Sequence, residues 1–395
     1  MEDEPSINRV LTSNSTMNAA LPSLISVLFS PLTILELLFL ALLLWSRRLK
    51  LLLLILLPLV LGNGLVLFFA APQGVQKAVW STPGGGFALH TNAPIPRALL
   101  PGFVVVKVNY ASLNPMDTKL FQYFATVPFL RLILPHAFAH DVSGTVHESS
   151  CPERLKKGDA VFGLTATGAM QEYTLGPCYT FSRVPKGLSM DKAAALPVVA
   201  ASAWVALGNG VVKKNMTVVV IGSVGGTGSI GVTLAKSLGA QKIACVASGK
   251  NKAASLELGC DGFYAYDDKG FEQQILHDLA QQVDVVYDTV SGPQHDEPKY
   301  TSLELRLLKP KTGVIRALLP ESFAEFFSPR PERQRIFGLA TFQVLDELSS
   351  NHLSVLQSVL LGKVYNNAFD LNDVRKAADE MNSHRTKGKL VFRVA

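Results

Sequence analysis

The chain has 395 residues, 48% of them hydrophobic, and a formal net charge of +6; that length suits about two or three domains around a sizeable core. The basic surplus is scattered without aromatic interleaving, which excludes nucleic acid as a partner and fits an anionic cofactor or membrane headgroups. Cys151, Cys178, Cys245 and Cys260 lie far apart and form no C-x-x-C, so neither a zinc site nor a disulfide framework is expected, and Cys245 reads as packing in a buried strand.

After an acidic start at Glu2, Asp3 and Glu4, an apolar run covers residues 21–45 with Glu36 as its only charge. Ser46-Arg47-Arg48-Leu49-Lys50 interrupts it, and a second apolar run covers residues 51–71. Each is long enough to cross a hydrocarbon core as a helix. Pro31, Pro58 and Gly62-Asn63-Gly64 leave three arrangements open: two spans, one span with a re-entrant piece, or a hairpin in one leaflet. A cleaved signal peptide is not expected behind an acidic start. Residues 1–75 carry four basic and four acidic side chains, so the basic surplus belongs to the rest of the chain.

From Gln76 the composition is that of a β-rich domain. KAVWS, Phe103 to Asn109, Asp141 to Val146, Leu155 to Leu164 and Gly168 to Thr174 are predicted strands, with glycines punctuating a small barrel. Asn114-Pro115-Met116-Asp117 follows the second strand. Asp191 to Leu207, rich in alanine, is predicted as one helix around Pro197.

The most informative stretch is 217–240, TVVVIGSVGGTGSIGVTLAKSLGA. A β-branched run gives way to glycines and then to helical periodicity. Gly226, Gly228 and Gly231 fit G-x-G-x-x-G, while Gly222, Gly225 and Gly228 give an overlapping G-x-x-G-x-x-G; Thr227 lies within both. In a dinucleotide fingerprint such glycines make the turn, admit a pyrophosphate and let helix pack on strand, and the helix N-terminus faces the phosphates. The next strand, Lys242 to Ser248, ends in Ser248, Lys250 and Lys252, with no carboxylate before Glu257. A hydroxyl and two ammonium groups suit a 2′-phosphate, so the expected cofactor is NADPH in preference to NADH. LELGCDGFYAY, residues 256–266, supplies a helix end and a third strand, and strands at 283–290 and 312–318 continue a doubly wound sheet. Helices near 355–362 and 373–382 and a final strand, KGKLVFRV, close the chain, the last returning to the barrel.

In this order, NYASLNPMD, HDVSGTV, LKKGDAVFG, GAMQEYT, AALPVVAASAWVAL, the glycine loop, VDVVYDTVSG and HRTKGKLVFRV resemble the zinc-independent quinone oxidoreductase branch of the medium-chain dehydrogenase/reductase superfamily. The stretch VPFLRLILPHAFAHDVSG further resembles plant envelope and reticulon-interacting members. The resemblance runs from about Gln76 to the end and implies a GroES-like catalytic domain, a Rossmann domain and a nicotinamide in the cleft between them. The expected fold class is therefore α/β: residues 1–74 as tail and membrane-embedded helical segment, 75–198 as the first part of a GroES-like β-barrel, 199–333 as a Rossmann parallel sheet, and 334–395 as a return to the barrel.

Zinc-dependent relatives carry a cysteine where this chain has Asn114, so the resemblance implies no metal, and His140-Asp141 reads as structural. It further implies hydride delivery to an electron-poor acceptor, a quinone or an α,β-unsaturated carbonyl, whose developing oxyanion hydrogen-bond donors stabilise. Asn114 is the expected donor and Asp117 its loop-orienting neighbour. Tyr123, slightly before the position of a tyrosine that serves as proton donor or substrate contact in some relatives, is the candidate proton donor by that resemblance, and Lys119 replaces an aromatic residue. Ser202 matches a threonine near the nicotinamide. DTVSG carries an extra serine, Ser291, and residues 319–338, which in relatives shape the pocket and dimer contact, align poorly.

The expectation is a membrane-anchored, NADPH-dependent, zinc-free reductase of apolar quinones or enones, with the bilayer and a second copy as partners. Rival readings are a silent membrane-bound NADPH sensor or scaffold and a lipid enoyl-thioester reductase. Arg47, Arg48 and Lys50 on the cytosolic side would send both flanks of two full spans across the membrane; cytosolic NADPH favours a shallow hairpin or a single span. Glycosylation of the sequon Asn14-Ser15-Thr16 would show that the tail reaches the lumen.

Overall fold

A computed structural model describes residues 74–81, 87–98, 101–118, 138–292, 299–319, 333–335, 366–383 and 386–395, all within one compact unit, Phe69–Ala395. Among the described residues no helix is long and apolar enough to cross a membrane. The apolar runs 21–45 and 51–71, Lys119, Tyr123 and the helix expected near 355–362 lie outside them.

The β-rich part opens with an antiparallel pair, β1 (Val75–Ser81) and β2 (Phe87–Pro94). Next comes β3 (Phe103–Leu113), whose valines at 104, 106 and 108 lie in the barrel core. Alternation along a strand sends every second side chain to one face. The strands β4 (Asp141–Ser149), β5 (Ala160–Leu164), β6 (Tyr173–Pro177) and β7 (Phe181–Arg183) follow. The strand expected from Leu155 starts only at Ala160, because Gly158 adopts φ +93° and Asp159 bonds back to the Lys156 N–H in a turn. Likewise Gly168 at φ +92° delays the strand expected from that residue to Tyr173.

The single helix expected over 191–207 is two: α1 (Met190–Ala194) and α2 (Pro197–Leu207). Pro197 has no N–H to give to the preceding turn, and its fixed φ suits the first position of the next helix. A parallel sheet then builds from β8 (Thr217–Ile221), α3 (Gly226–Ser237), β9 (Lys242–Ala247), α4 (Lys252–Leu258), β10 (Gly262–Ala265), α5 (Phe271–Leu279), β11 (Val285–Asp288), α6 (Thr301–Leu307), β12 (Val314–Ala317) and β13 (Arg333–Arg335). Its spatial order is β10-β9-β8-β11-β12-β13, the 3-2-1-4-5-6 order of a dinucleotide-binding fold, whose strand order reverses between the first and fourth strands.

The chain returns with β14 (Asn366–Asp370), α7 (Val374–Asn382) and β15 (Lys389–Arg393). As expected from the sequence, β15 joins the barrel, antiparallel to β3 and parallel to β14. The expectation about cysteines is corrected: Cys151 is bonded to Cys178 and Cys245 to Cys260. The first bridge ties the turn after β4 to the end of β6, and the second ties β9 to the entry of β10. Their spacings of 27 and 15 residues match no short motif; β4 and β6 both end beside the start of β3, which brings the first pair together, and the β9–β10 pairing brings the second.

Candidate active site

The crevice of an open α/β sheet opens where its strand order reverses, beyond the carboxyl ends of the strands, here β8 and β11. At the end of β8, Gly222 turns the chain with φ +80°, a conformation that costs an ordinary residue roughly 1–2 kcal/mol. A Cβ there would lie 2.5 Å from Thr289 Oγ1 and from Val290 Cγ2, so the two loops at the reversal touch. Thr289 fixes the contact by donating its hydroxyl to the Ile221 carbonyl at 2.7 Å. Asp288 Oδ1 accepts from the N–H groups of Val290 and Ser291, each at 3.0 Å, so the extra serine completes a carboxylate-capped turn.

The overlapping glycine readings separate by contact. Gly228 lies against the Gly222 carbonyl, and a Cβ on Gly231 would be 2.6 Å from ring carbons of Tyr287; these two serve close packing. Gly226 opens α3 with Lys389 on its flank, Thr227 follows it in the first turn, and Gly225 is the N-cap. A Cβ on Gly225 would meet nothing nearer than the Gly222 carbonyl at 3.3 Å, so the cap is backed by backbone on one side only. Free helix N–H groups at such a cap are an anion site. The loop thus offers the cradle that a dinucleotide pyrophosphate requires, and the group, when bound, supplies hydride.

Ser248 ends β9 and its hydroxyl accepts from Asn251 Nδ2 at 2.9 Å; Lys250 and Lys252 are exposed on the turn into α4. Asp267 enters from beyond β10, and its Oδ1 accepts the Gly249 N–H at 2.7 Å. The carboxylate absent from the sequence at this turn is thus supplied from another strand, and it is engaged with backbone. Ser202 lies on α2, which packs against α3, and is 8% exposed.

A second cluster lies where the barrel meets this loop. Asp141, fully buried at the start of β4, collects Asn114 Nδ2 at 2.9 Å, Lys389 Nζ at 3.1 Å and Ser112 Oγ at 3.3 Å on Oδ2, while Oδ1 accepts the Val198 N–H of α2 at 3.0 Å. Burial pushes its pKa up, and Lys389 and the Asn114 hydrogen bond pull against that shift. Lys389 also donates to Asn114 Oδ1 at 2.6 Å. Asn114 Nδ2 is directed at carboxylates, Asp141 at 2.9 Å and Asp117 at 3.3 Å, so the oxyanion donor expected from the sequence is engaged inside the protein and only 3% exposed.

Asp117 Oδ2 accepts the Asn114 backbone N–H at 2.7 Å, and Oδ1 lies 2.9 Å from His140 Nδ1. His140 is the accessible member of the cluster: its side chain is 44% exposed against 2% for Asp117. Burial draws the imidazole pKa down, but the Asp117 hydrogen bond and the Asp117 and Asp141 charges outweigh it, and the net direction is up. The preceding Ala139 has φ +62°, rare for a residue with a Cβ, and is held there by the Ala169 N–H on its carbonyl at 2.9 Å.

The placement differs from the sequence reading in two residues. His140 pairs with Asp117 and not with adjacent Asp141, since neighbours in extended chain point to opposite sides. Lys389, in the closing KGKLVFRV motif, binds this cluster to the glycine loop, where Gly388 N–H also donates to the Val224 carbonyl at 2.9 Å. Among the described residues no group of three or more His, Cys, Asp or Glu side chains could hold a metal ion.

A glycine-turn Rossmann sheet with a small barrel set against its strand-order reversal defines a dinucleotide-binding α/β protein. Two family descriptions match in chain order, the alcohol dehydrogenase GroES-like domain over residues 100–186 and the zinc-binding dehydrogenase domain over residues 258–392. A mitochondrial protein of Danio rerio named NAD(P)H oxidoreductase RTN4IP1 is 30% identical over 243 residues, which cover 56% of this chain and 60% of that one. The chloroplastic NADPH-dependent alkenal/one oxidoreductase of Arabidopsis thaliana is 30% identical over 234 residues, covering 55% and 58% respectively. The chain therefore spans a little over half the length of these relatives. In fold it is similar to the quinone oxidoreductase of Pseudomonas syringae, with a TM-score of 0.67 at 23% identity over 81% of this chain and all of that one. The chain belongs to the medium-chain dehydrogenase/reductase superfamily, and resembles its quinone oxidoreductase-like members.

Proposed function

We propose that this protein is an NADPH-dependent reductase of quinones or α,β-unsaturated carbonyl compounds that works without zinc. One observation carries the reading: the open Gly225 cap at the sheet's strand-order reversal is joined through Lys389 to a polar cluster ending in an accessible imidazole. Gly222, Gly225, Gly226, Thr227 and Gly228 would hold the pyrophosphate, and Ser248, Lys250 and Lys252 the 2′-phosphate. The names of the Danio and Arabidopsis relatives support a nicotinamide cofactor and an enone-type acceptor. Asn114 and Asp117 would then order the cleft wall, with Lys389 and Asp141 as its internal counter-charges.

In this reading residues 1–74 tether the enzyme, residues 75–198 and 334–395 form the catalytic domain, and residues 199–333 bind cofactor. Two apolar runs long enough to span a bilayer support a tether at an organelle membrane, which would hold the pocket near apolar substrates. A second copy would join along β13, the end strand of the Rossmann sheet among the described residues.

The test is oxidation of NADPH and NADH by the full chain in lipid nanodiscs against a panel of quinones and enones. Turnover of one acceptor class with preference for NADPH is expected. Tight NADPH binding with no acceptor reduced would replace the reductase by a cofactor-binding sensor.

A further inference from the structure

The reductase reading leaves one chemical requirement unassigned. Hydride addition to an enone or quinone places a negative charge on oxygen, and the reaction closes only when a proton arrives. Asn114 is turned inward, with its amide nitrogen on two carboxylates. His140 is turned outward.

We propose that the proton donor is His140, with Asp117 as its positioning residue. The proposal rests on the reductase reading and deepens it. Four contacts through Asp117, Asn114 and Lys389 connect the imidazole to the cofactor loop: His140 Nδ1 to Asp117 Oδ1 at 2.9 Å, the Asn114 backbone N–H to Asp117 Oδ2 at 2.7 Å, Lys389 Nζ to Asn114 Oδ1 at 2.6 Å, and Lys389 against the first turn of α3 at Gly226. No described residue bonds His140 Nε2, so that atom is left for a ligand or solvent. A carboxylate on one ring nitrogen sets the tautomer and orientation of the other.

The charged groups around the imidazole come from three elements: Asp117 after β3, Asp141 on β4, and Lys389 on β15, already paired with Asp141. Against burial, the Asp117 hydrogen bond and the Asp117 and Asp141 charges prevail and raise the imidazole pKa. When bound, the reduced nicotinamide would supply a hydride to the electron-poor carbon of the acceptor, whose π electron pair would move to oxygen, and His140 Nε2–H would protonate the resulting enolate or hydroquinone anion. The nicotinamide ends oxidised, the acceptor gains one hydride and one proton, and neutral His140 recovers its proton from water, to which its side chain is 44% exposed.

The test combines two measurements on the full chain in nanodiscs. The first is the pH dependence of diethyl pyrocarbonate modification at His140, read by peptide mass spectrometry without cofactor, since only the neutral imidazole reacts. A midpoint above the ordinary value near 6.5, lowered by Asp117→Asn, is expected; a midpoint at or below the ordinary value overturns the proposal. The second is the pH profile of NADPH-driven acceptor reduction for wild type and His140→Gln. General acid catalysis contributes about 100-fold or more, so His140→Gln should lose about that factor in kcat and lose the decline toward high pH, with NADPH affinity unchanged. Modification of wild-type His140 should do the same, which covers the case of a variant that folds poorly. Wild-type turnover with an unchanged His140→Gln profile overturns the proton donor alone; binding of NADPH with no acceptor reduced overturns the reductase reading and the donor with it.

Discussion

Lys389 Nζ lies 2.6 Å from Asn114 Oδ1, a contact between residues 275 apart in sequence, and 3.1 Å from Asp141 Oδ2. The final strand thereby neutralises a fully buried carboxylate at the point where the barrel meets the glycine loop. Removing one partner of such a pair leaves the other charge buried and uncompensated, at a cost of about 3–5 kcal/mol. Lys389→Met should therefore lower stability by about that much in urea denaturation. Lys389→Met combined with Asp141→Asn should recover much of the loss, and equal losses in single and double variants would show the pair to be unimportant.

Gly231 on α3 lies close against the Tyr287 ring of β11. A Cβ on Gly231 would sit 2.6 Å from the ring, and overpacking of this kind costs about 1–3 kcal/mol. Gly231→Ala should lower the melting temperature. Tyr287→Phe should not, because no described residue hydrogen-bonds the buried Tyr287 hydroxyl and its removal leaves no partner behind. Calorimetry of the two variants checks both outcomes.

These two contacts show what was readable in the sequence. Gly231 was legible because strand, turn and helix are local, and hydrophobic period 2 changes to period 3.6 across the glycines. A doubly wound sheet followed from the alternation of strands and helices, whereas its spatial order and its sixth strand, β13, depend on long-range pairing. Lys389 was not legible as a site residue, since nothing local distinguishes it from a surface lysine. The partner of His140 was half legible: alternation along β4 excludes Asp141, but selecting Asp117 requires the antiparallel register of β3 and β4. The cysteine pairs stayed hidden for the same reason, each being brought together by sheet pairing while distant along the chain.

Both disulfides should be visible chemically. Alkylation of the unfolded, unreduced chain should add nothing, and alkylation after reduction should label all four cysteines. The Cys245–Cys260 bridge closes a 15-residue interval that contains Ser248, Lys250 and Lys252. A loop of that length gains about 3 kcal/mol from its cross-link in the chain-entropy account, so Cys260→Ser should reduce urea stability by up to about that amount. Labelling without prior reduction would disprove the bridges.

Lys250 and Lys252 are exposed at the end of β9, where a 2′-phosphate would fall. A hydrogen bond to a charged group contributes about 1.5–3 kcal/mol, so replacing both lysines by Ala should weaken NADPH binding tenfold or more and leave NADH within about twofold. Fluorescence titration of each cofactor measures the ratio. An equal loss for both cofactors would move 2′-phosphate recognition away from these side chains.

The His140–Asp117 pair also carries a pH signature in stability that requires no cofactor. The folded-state pKa of His140 is raised above its unfolded value, burial being outweighed by the Asp117 hydrogen bond and the carboxylate charges. A group shifted upward binds its proton more tightly when folded, so its contribution is complete below the unfolded pKa near 6.5 and disappears as pH rises through the folded value. With the imidazole 44% exposed, solvent screening limits the contribution to about 1 kcal/mol or less. The stability gap between wild type and His140→Gln in urea should therefore be largest below pH 6.5 and close at alkaline pH, and Asp117→Asn should flatten it. A gap that widened with pH would mean that folding favours the neutral ring, contrary to the charge balance around it.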